Sequence, residues 1–519
     1  MSRFFQKINT KKILGYSEGA LLIQVLVFAG ISVVLLSGLV GWSGANIKAS
    51  RQSLYREQAF QIAEAGIDYY RWHLAHAPAD FQDGTGVAGP YIHAFNDKDG
   101  TRIGQFELEI IPPPTGSTLV TVRSKGKVDA LPGVYRRIEA ILAKESFAKY
   151  AWLLNAANPP MYFGPTSEVF GPIHSNFGIR FDGTAHQIVT SGVGSYTDPE
   201  HGGGVEFGVH THRNTPPPTP NLSVADAFRP DEAPPTNPVP SQSEVFLAGR
   251  NFPAPPVDFT GLTQNLQQLK TDAIANGFYR AGSGTGGYHV VLKTNDTFDL
   301  YRVDTTYVAA NGCINSAKIG SPPELPLGWG TWSIQTETLL GNFAFPTNGI
   351  AFFEDYVWVN GQVSSGRITI TSGKFPADPD TYTNIIVNND LLYTTTDGQD
   401  AIALIAQRNV IVGLNSEDDL RIDAAVVAQN GFFARFDYPN NSCNINPFDG
   451  RFRAEITTYG AVAASQSGEF CHDSIGGICE GSGYSNRTYI YDSNLLYSPP
   501  PSFPLTADQY ETISWKEIR

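Results

Sequence analysis

The chain has 519 residues, with 51 Gly, 35 Pro, 31 Phe and 23 Tyr and only 17% charged side chains. That mix favours strands and turns over helices, and the length allows two or three domains. A formal net charge of −14 repels phosphate backbones, so nucleic acid is disfavoured as a partner of the whole chain.

Residues 1–19 form a short leader carrying Arg3, Lys7, Lys11 and Lys12 and ending in Gly19. From Ala20 to Ile47 there is no charged side chain. The apolar run 20–42 is long enough to span a bilayer, which takes about 20 residues as a helix. The basic end stays cytoplasmic and the acidic bulk is exported. A secretory signal peptide has a shorter core, ~7–15 residues, and its cleavage site follows the core; here the glycine precedes it. A plain single-pass anchor is the simpler reading, but it leaves that glycine and the next segment unexplained.

The helical pattern continues beyond the membrane. Leu54, Tyr55, Ala59, Ile62, Ala65, Gly66 and Tyr69 recur at three- and four-residue spacing, the mark of one buried face. Pro78 stops it. The spacing predicts one helix over 20–77, ~85 Å long at 1.5 Å per residue.

These residues resemble the type IV prepilins, and among them the minor pilins of the PilX type. The likeness is carried by the basic leader ending in Gly19, the apolar helix opening at Ala20, and the segment Gln58-Ala-Phe-Gln-Ile-Ala-Glu-Ala-Gly-Ile67. It implies that a prepilin peptidase cuts between Gly19 and Ala20, that the new amino group of Ala20 is methylated, and that the helix packs against other pilins. It also implies residence in the inner, cytoplasmic membrane, N-terminus inside, before assembly into an extracellular fibre. Two residues depart from the pattern. The fifth mature position, usually glutamate, is Gln24, and Glu18 stands just before the glycine.

Residues 78–146 read as a small antiparallel sheet. Gln105–Ile111, Thr118–Val128 and Val134–Leu142 alternate polar and apolar residues, separated by the turn signals Pro112–Gly116 and Leu131–Gly133. The first module is thus α+β and pilin-like. Asn96-Asp-Lys-Asp-Gly100 imitates the start of a calcium loop, but the twelfth position from Asp97 is Leu108, so a hairpin turn fits better.

Residues 147–519 read as a large all-β domain. Within it, 214–256 is a proline-rich excursion with little core of its own. Residues 258–276 read as a helix, with Leu262, Leu266, Leu269 and Ala273 in phase and Gly277 ending it. A faint repeat follows: Ile386-Val-Asn-Asn, Ile405-Ala-Gln-Arg, Val427-Ala-Gln-Asn and Ala463-Ala-Ser-Gln, with steps of 19, 22 and 36 residues. Gly171-Pro-Ile-His-Ser-Asn-Phe-Gly178 repeats the pattern earlier. Short strands of this period suggest stacked coils of a parallel β-helix, with Asn388, Gln407 and Gln429 as an amide ladder; a β-sandwich is the alternative. The blocks Gly349–Gly361, Gly366–Thr371 and Arg487–Pro501 look like large domains attached to PilX-type N-termini.

Cys313, Cys443, Cys471 and Cys479 all fall in the exported part, where disulfides persist. Four cysteines allow three full pairings. Cys471–Cys479 across a flexible loop is favoured, or either of these with Cys443. No catalytic set stands out. Glu354-Asp355 and Glu417-Asp-Asp419 with Asp423 are paired acids that would need a glycosidase spacing, and solvated strand ends explain them as well. His210-Thr-His212 is a metal-ligand pair at a spacing common by chance, so no metal and no cofactor is expected.

The sequence therefore predicts a large minor pilin or pseudopilin at the tip of a type IV pilus-like fibre. Its role would be fibre assembly and adhesion to an unidentified surface or glycan ligand. The alternative is a membrane-tethered β-helix enzyme that degrades polysaccharide.

Overall fold

The computed structural model describes residues 18–156, 160–199, 204–213, 230–259, 266–307, 330–438, 451–475, 478–506 and 509–518. Two compact units emerge. One holds the chain up to Ile110, Val122–Ala140 and Ser514–Arg519; the other holds Ile111–Thr121 and Ile141–Ile513.

The first unit is built on α1, Glu18–His76, one unbroken helix of 59 residues. Its apolar first half, from Ala20, is long and apolar enough to cross a membrane, and none of its most apolar 18-residue window is buried. The second half lies on a five-stranded sheet. Its strands run in the order β1 (Tyr91–Asn96), β2 (Arg102–Ile111), β3 (Val120–Val128), β4 (Tyr135–Ala143) and then the C-terminal strand Glu511–Ile518. The sequence pattern places that last strand in the large β domain; in the structure it returns to close the small sheet. Strand β1 was not anticipated. Its turn into β2 is the hairpin expected at Asn96–Gly100, with Asp97 Oδ1 accepting from the N–H groups of Asp99 and Thr101.

The helix buries Ala59, Ile62, Ala63, Ile67, Tyr70 and Leu74 against Phe106, Leu108, Val122, Val128, Ile138 and Ala140. The stripe is rotated from the expected one: Leu54 is exposed, and Ala65 and Tyr69 are only half-buried. Small residues set the approach. A Cβ on Gly126 of β3 would lie 2.0 Å from the Ala59 carbonyl oxygen, and one on Gly66 would lie 2.2 Å from Ser124 Oγ. At Gly126 backbone meets backbone, and at Gly66 the helix backbone meets the side chains of Ser124, Phe106 and Leu108.

In the second unit the strands stack in parallel ladders. One ladder aligns, in order, Tyr279, Phe352, Thr371, Ile405, Val427, Ala463, Leu153, His174, Thr190 and Asn251. A second aligns His289, Trp358, Ile386, Ile411 and Ala434. A third aligns Leu391, Ile422, Thr458, Tyr489, Val169 and Ala185. Parallel pairing of this extent is foreign to a β-sandwich, whose sheets are antiparallel.

The order of the first ladder shows how the chain is threaded. The strands of 152–251 form one end, the chain passes to the far end at Phe278, and the later strands build back until Ala463 meets Leu153. The helix Leu266–Asn276 buries Leu266, Leu269 and Ala273 in a cluster that also contains Phe352, Ile405, Val427 and Ala463. Between the ladders, Val169, Ile173, Val290, Ile370, Leu404, Val410 and Ile422 share the main core.

Of the repeat blocks, those at Ile405, Val427 and Ala463 stack in register, and so does His174 in the earlier block. The block at Ile386 does not; it belongs to the second ladder, between Trp358 and Ile411. The amides are buried, and several cap backbone: Asn384 Oδ1 accepts from Asn409 N, Asn409 Oδ1 from Phe432 N, and Asn388 Oδ1 from Gly413 N. Gln407 is tied to the backbone of Lys374 through both ends of its amide. The proline-rich stretch is also more than an excursion. Val245 and Phe246 are fully buried, and Arg250 forms a buried ion pair with Glu232.

Candidate functional site

The expected cut, between Gly19 and Ala20, falls near the start of α1, and Gln24 is exposed on it. Among the described residues nothing covers the apolar half, so 20–42 presents a helical surface of Leu, Val and Ile to its surroundings. An exposed apolar face of this size marks a membrane or protein contact.

The paired acids are engaged in structure. Glu354 accepts from Lys270 Nζ and, at 2.6 Å, from Tyr279 Oη. Asp355 Oδ2 caps Ser283 through its N and Oγ, both at 2.7 Å. Glu417 receives Asn389 Nδ2 at 3.0 Å, and Asp418 caps Ala454 N. Asp423 is buried, accepts from Arg421 Nε at 2.8 Å and Tyr393 N at 3.0 Å, and has its pKa raised by burial. Beside it lies an open cleft of about 870 Å³, lined by Asp390, Tyr393, Thr395, Asp397, Arg421 and Asp423 among others. Phe352 and Trp358 are core residues; Trp358 Nε1 donates to the Trp332 carbonyl at 2.9 Å.

Cys471 is disulfide-bonded. Cys313 and Cys443 lie outside the described residues. The hairpin places Cys471 opposite Gly483 and Cys479 opposite Ser474. That offset is about 10 Å along the strand at ~3.3 Å per residue, beyond the ~7 Å Cα separation that a disulfide spans. The favoured Cys471–Cys479 pairing does not fit this register.

The densest cluster of chemistry lies at the end of the stack formed by 152–251. His210 ends the strand Val209–His210, which pairs in parallel with Ile179–Phe181. His212 follows on the same side, because side chains two apart on extended chain share a face. Strands Ser195–Asp198 and Gly204–Phe207 form an antiparallel hairpin just before them. The hairpin folds Asp198 over the histidines. A Cβ on Gly208 would meet the Val193 carbonyl oxygen at 1.9 Å, so the chain leaving the hairpin passes the Val193 backbone at a position only glycine fits.

The three side chains are buried, and their donor atoms converge. His210 Nε2 lies 3.2 Å from His212 Nε2 and 3.2 Å from Asp198 Oδ2, and His212 Nε2 lies 3.8 Å from the same oxygen. Around them, Tyr196 Oη is 3.2 Å from His210 Nδ1. Asp182 Oδ1 accepts from His212 N at 2.7 Å, and Asp182 is itself paired with Arg180. Glu206 is fully buried nearby; burial first, then Asp198 and Glu232, push its carboxyl up to about 7. The sequence shows His210 and His212 as a pair but not Asp198. The available signal was the pair of short runs Ser195–Asp198 and Gly204–Phe207, separated in sequence by a glycine-rich segment.

No family model matches the chain, and no curated protein matches it. Among solved structures it is similar to the competence-associated pilin ComZ from Thermus thermophilus. Identity is 11%, over 89% of this chain and 97% of that one, with a TM-score of 0.30. So distant a likeness leaves function to be argued from the chain itself.

Proposed function

We propose that the chain is a large minor pilin or pseudopilin of a type IV pilus-like fibre. It is held in the cytoplasmic membrane by 20–42 and, after cleavage at Gly19, assembled through that same helix beside other pilins. The observation that carries this reading is α1: one continuous helix, bare and apolar in its first half and seated on a small sheet in its second. A plain anchor has no need of a stiff helix that continues into the folded part, or of a glycine ahead of the apolar run.

In this reading the protein sits at the fibre tip. Subunits in a helical fibre overlap along their helices, and the second unit, Ile141–Ile513 with Ile111–Thr121, is far larger than a simple pilin head. At the tip nothing stacks above it. Gln24 is consistent with this. A carboxylate in the apolar run is costly unless paired, and a first subunit lacking the neighbouring α-amino group loses little by carrying an amide. We further propose that the ladders of the second unit are coils of a parallel β-helix that presents an adhesive surface. The polysaccharide-degrading reading rests on the cleft beside Asp423. The acids of that region serve as caps and ion pairs, so ligand binding is favoured there over hydrolysis.

The test is assembly. In cells expressing the chain, Gly19→Ala should leave it unprocessed in the membrane and absent from sheared surface fibres. Tagged wild-type chain should label fibre ends. Surface fibres carrying the unprocessed Gly19→Ala chain, or a wild-type chain found only in membranes, contradict the proposal.

A further inference from the structure

The cluster at the N-terminal end of the stack has no place in the reading above. Its geometry is that of a ligand set. A tetrahedral ion with bonds of ~2.0–2.1 Å to nitrogen and ~2.0–2.2 Å to oxygen has donor–donor edges of about 3.3–3.4 Å. The three observed edges are 3.2, 3.2 and 3.8 Å. Two imidazole nitrogens and one carboxylate oxygen therefore outline one face of such a tetrahedron, with every donor buried.

The surroundings are also those of a metal site. His210 Nδ1, the nitrogen turned away from the cluster, meets Tyr196 Oη, an outer contact of the kind that fixes a ligand's tautomer and ring orientation. The main chain of His212 is fixed by Asp182, which Arg180 holds in turn. Two imidazoles with a carboxylate suit Zn²⁺ and its neighbours Co²⁺, Ni²⁺ and Cu²⁺ over the hard cations, which prefer oxygen. A divalent charge would also offset the carboxylates of Asp198 and Glu206, which are both buried here.

We propose that Asp198, His210 and His212 bind a divalent transition-metal ion, Zn²⁺ fitting their donors best, and that the ion ties the hairpin of residues 195–207 to the strand ending in His210. The role is structural. The ion clamps this end of the stack, where the strands have no further coil to pair with among the described residues, and because it binds only the folded chain it stabilises that end by mass action.

The experiment uses the full chain in detergent, stripped with chelator, dialysed, and titrated with ZnCl₂ by calorimetry and with CoCl₂ by visible absorption. The expected result is one ion per chain. Bound cobalt should show the strong d–d absorption of a tetrahedral nitrogen and oxygen site, without thiolate charge-transfer bands. Tyr196→Phe should weaken binding by the ~10–100-fold typical of an outer-shell loss, and His210→Ala and His212→Ala should weaken it further. Absence of stoichiometric binding by the wild-type chain overturns the proposal and leaves a hydrogen-bonded triad. Thiolate bands overturn it too, since the ion would then sit on cysteines. Should the histidine variants misfold, the wild-type cobalt spectrum decides alone.

Discussion

The helix seat predicts a sharp contrast between two glycines of the small sheet. At Gly126 an added Cβ would stand 2.0 Å from Ala59 O and 2.5 Å from Ala63 N, whereas at Gly133 it would meet nothing within 4 Å. Ordinary contact begins near 3.4 Å, so Gly126→Ala forces α1 off the sheet by more than 1 Å and loosens Ile62 and Ile67 with it. Overpacking of this kind costs about 1–3 kcal/mol. Gly133→Ala should be neutral or stabilise by ~0.4–1 kcal/mol through the unfolded chain. The assay is hydrogen exchange across Ala59–Leu74 in the detergent-solubilised chain, which reads local opening without requiring a two-state transition. With 1.36 kcal/mol per tenfold, Gly126→Ala should speed exchange there roughly 5- to 150-fold, and Gly133→Ala should not. Equal protection in the two variants would refute the backbone-to-backbone seat.

Other outcomes follow from the same contacts. Asn409→Ala removes the acceptor for Phe432 N inside the stack and should cost ~1–3 kcal/mol in denaturant unfolding, while exposed Asn389→Ala should stay within about 0.5 kcal/mol. Lys516 and then Arg123 hold the Glu139 carboxyl below its usual range. A depressed folded-state pKa gives stability above the unfolded value of ~4.3 that is lost as pH falls through the folded value. Exchange of the C-terminal strand should therefore rise below about pH 4, and Glu139→Gln should flatten that dependence. Peptide mapping without reductant should link Cys471 to Cys443 or Cys313; a Cys471–Cys479 peptide would contradict the hairpin register.

Local signals were legible where the chain speaks to its near neighbours. The apolar run, the amphipathic continuation and three strands of the small sheet are written in periodicity, and Asp97 and Gly100 mark the turn into the first of those strands. The C-terminal strand was not legible as part of that sheet, because its partner β4 lies more than 360 residues earlier and pairing at that distance leaves no trace in local pattern. The ladder blocks at Ile405, Val427 and Ala463 share a face and could be aligned by eye. Ile386 has the same composition but another ladder, since several faces of a stack want the same apolar residues. Asp198 escaped for a similar reason. It reaches His210 and His212 only through a hairpin and a tight glycine, and neither histidine alone distinguishes a ligand from a chance pair. The cysteine register was equally hidden, because loop length says nothing about the offset of the strands that flank it.

The proposed function turns on whether the N-terminal helix is an assembly signal or a plain anchor. Mass spectrometry of the N-terminal peptide from the native, membrane- and fibre-derived protein tests it most directly. The expected chain begins at Ala20 with a methylated α-amino group. An intact leader, or a cut beyond Trp42, would contradict it.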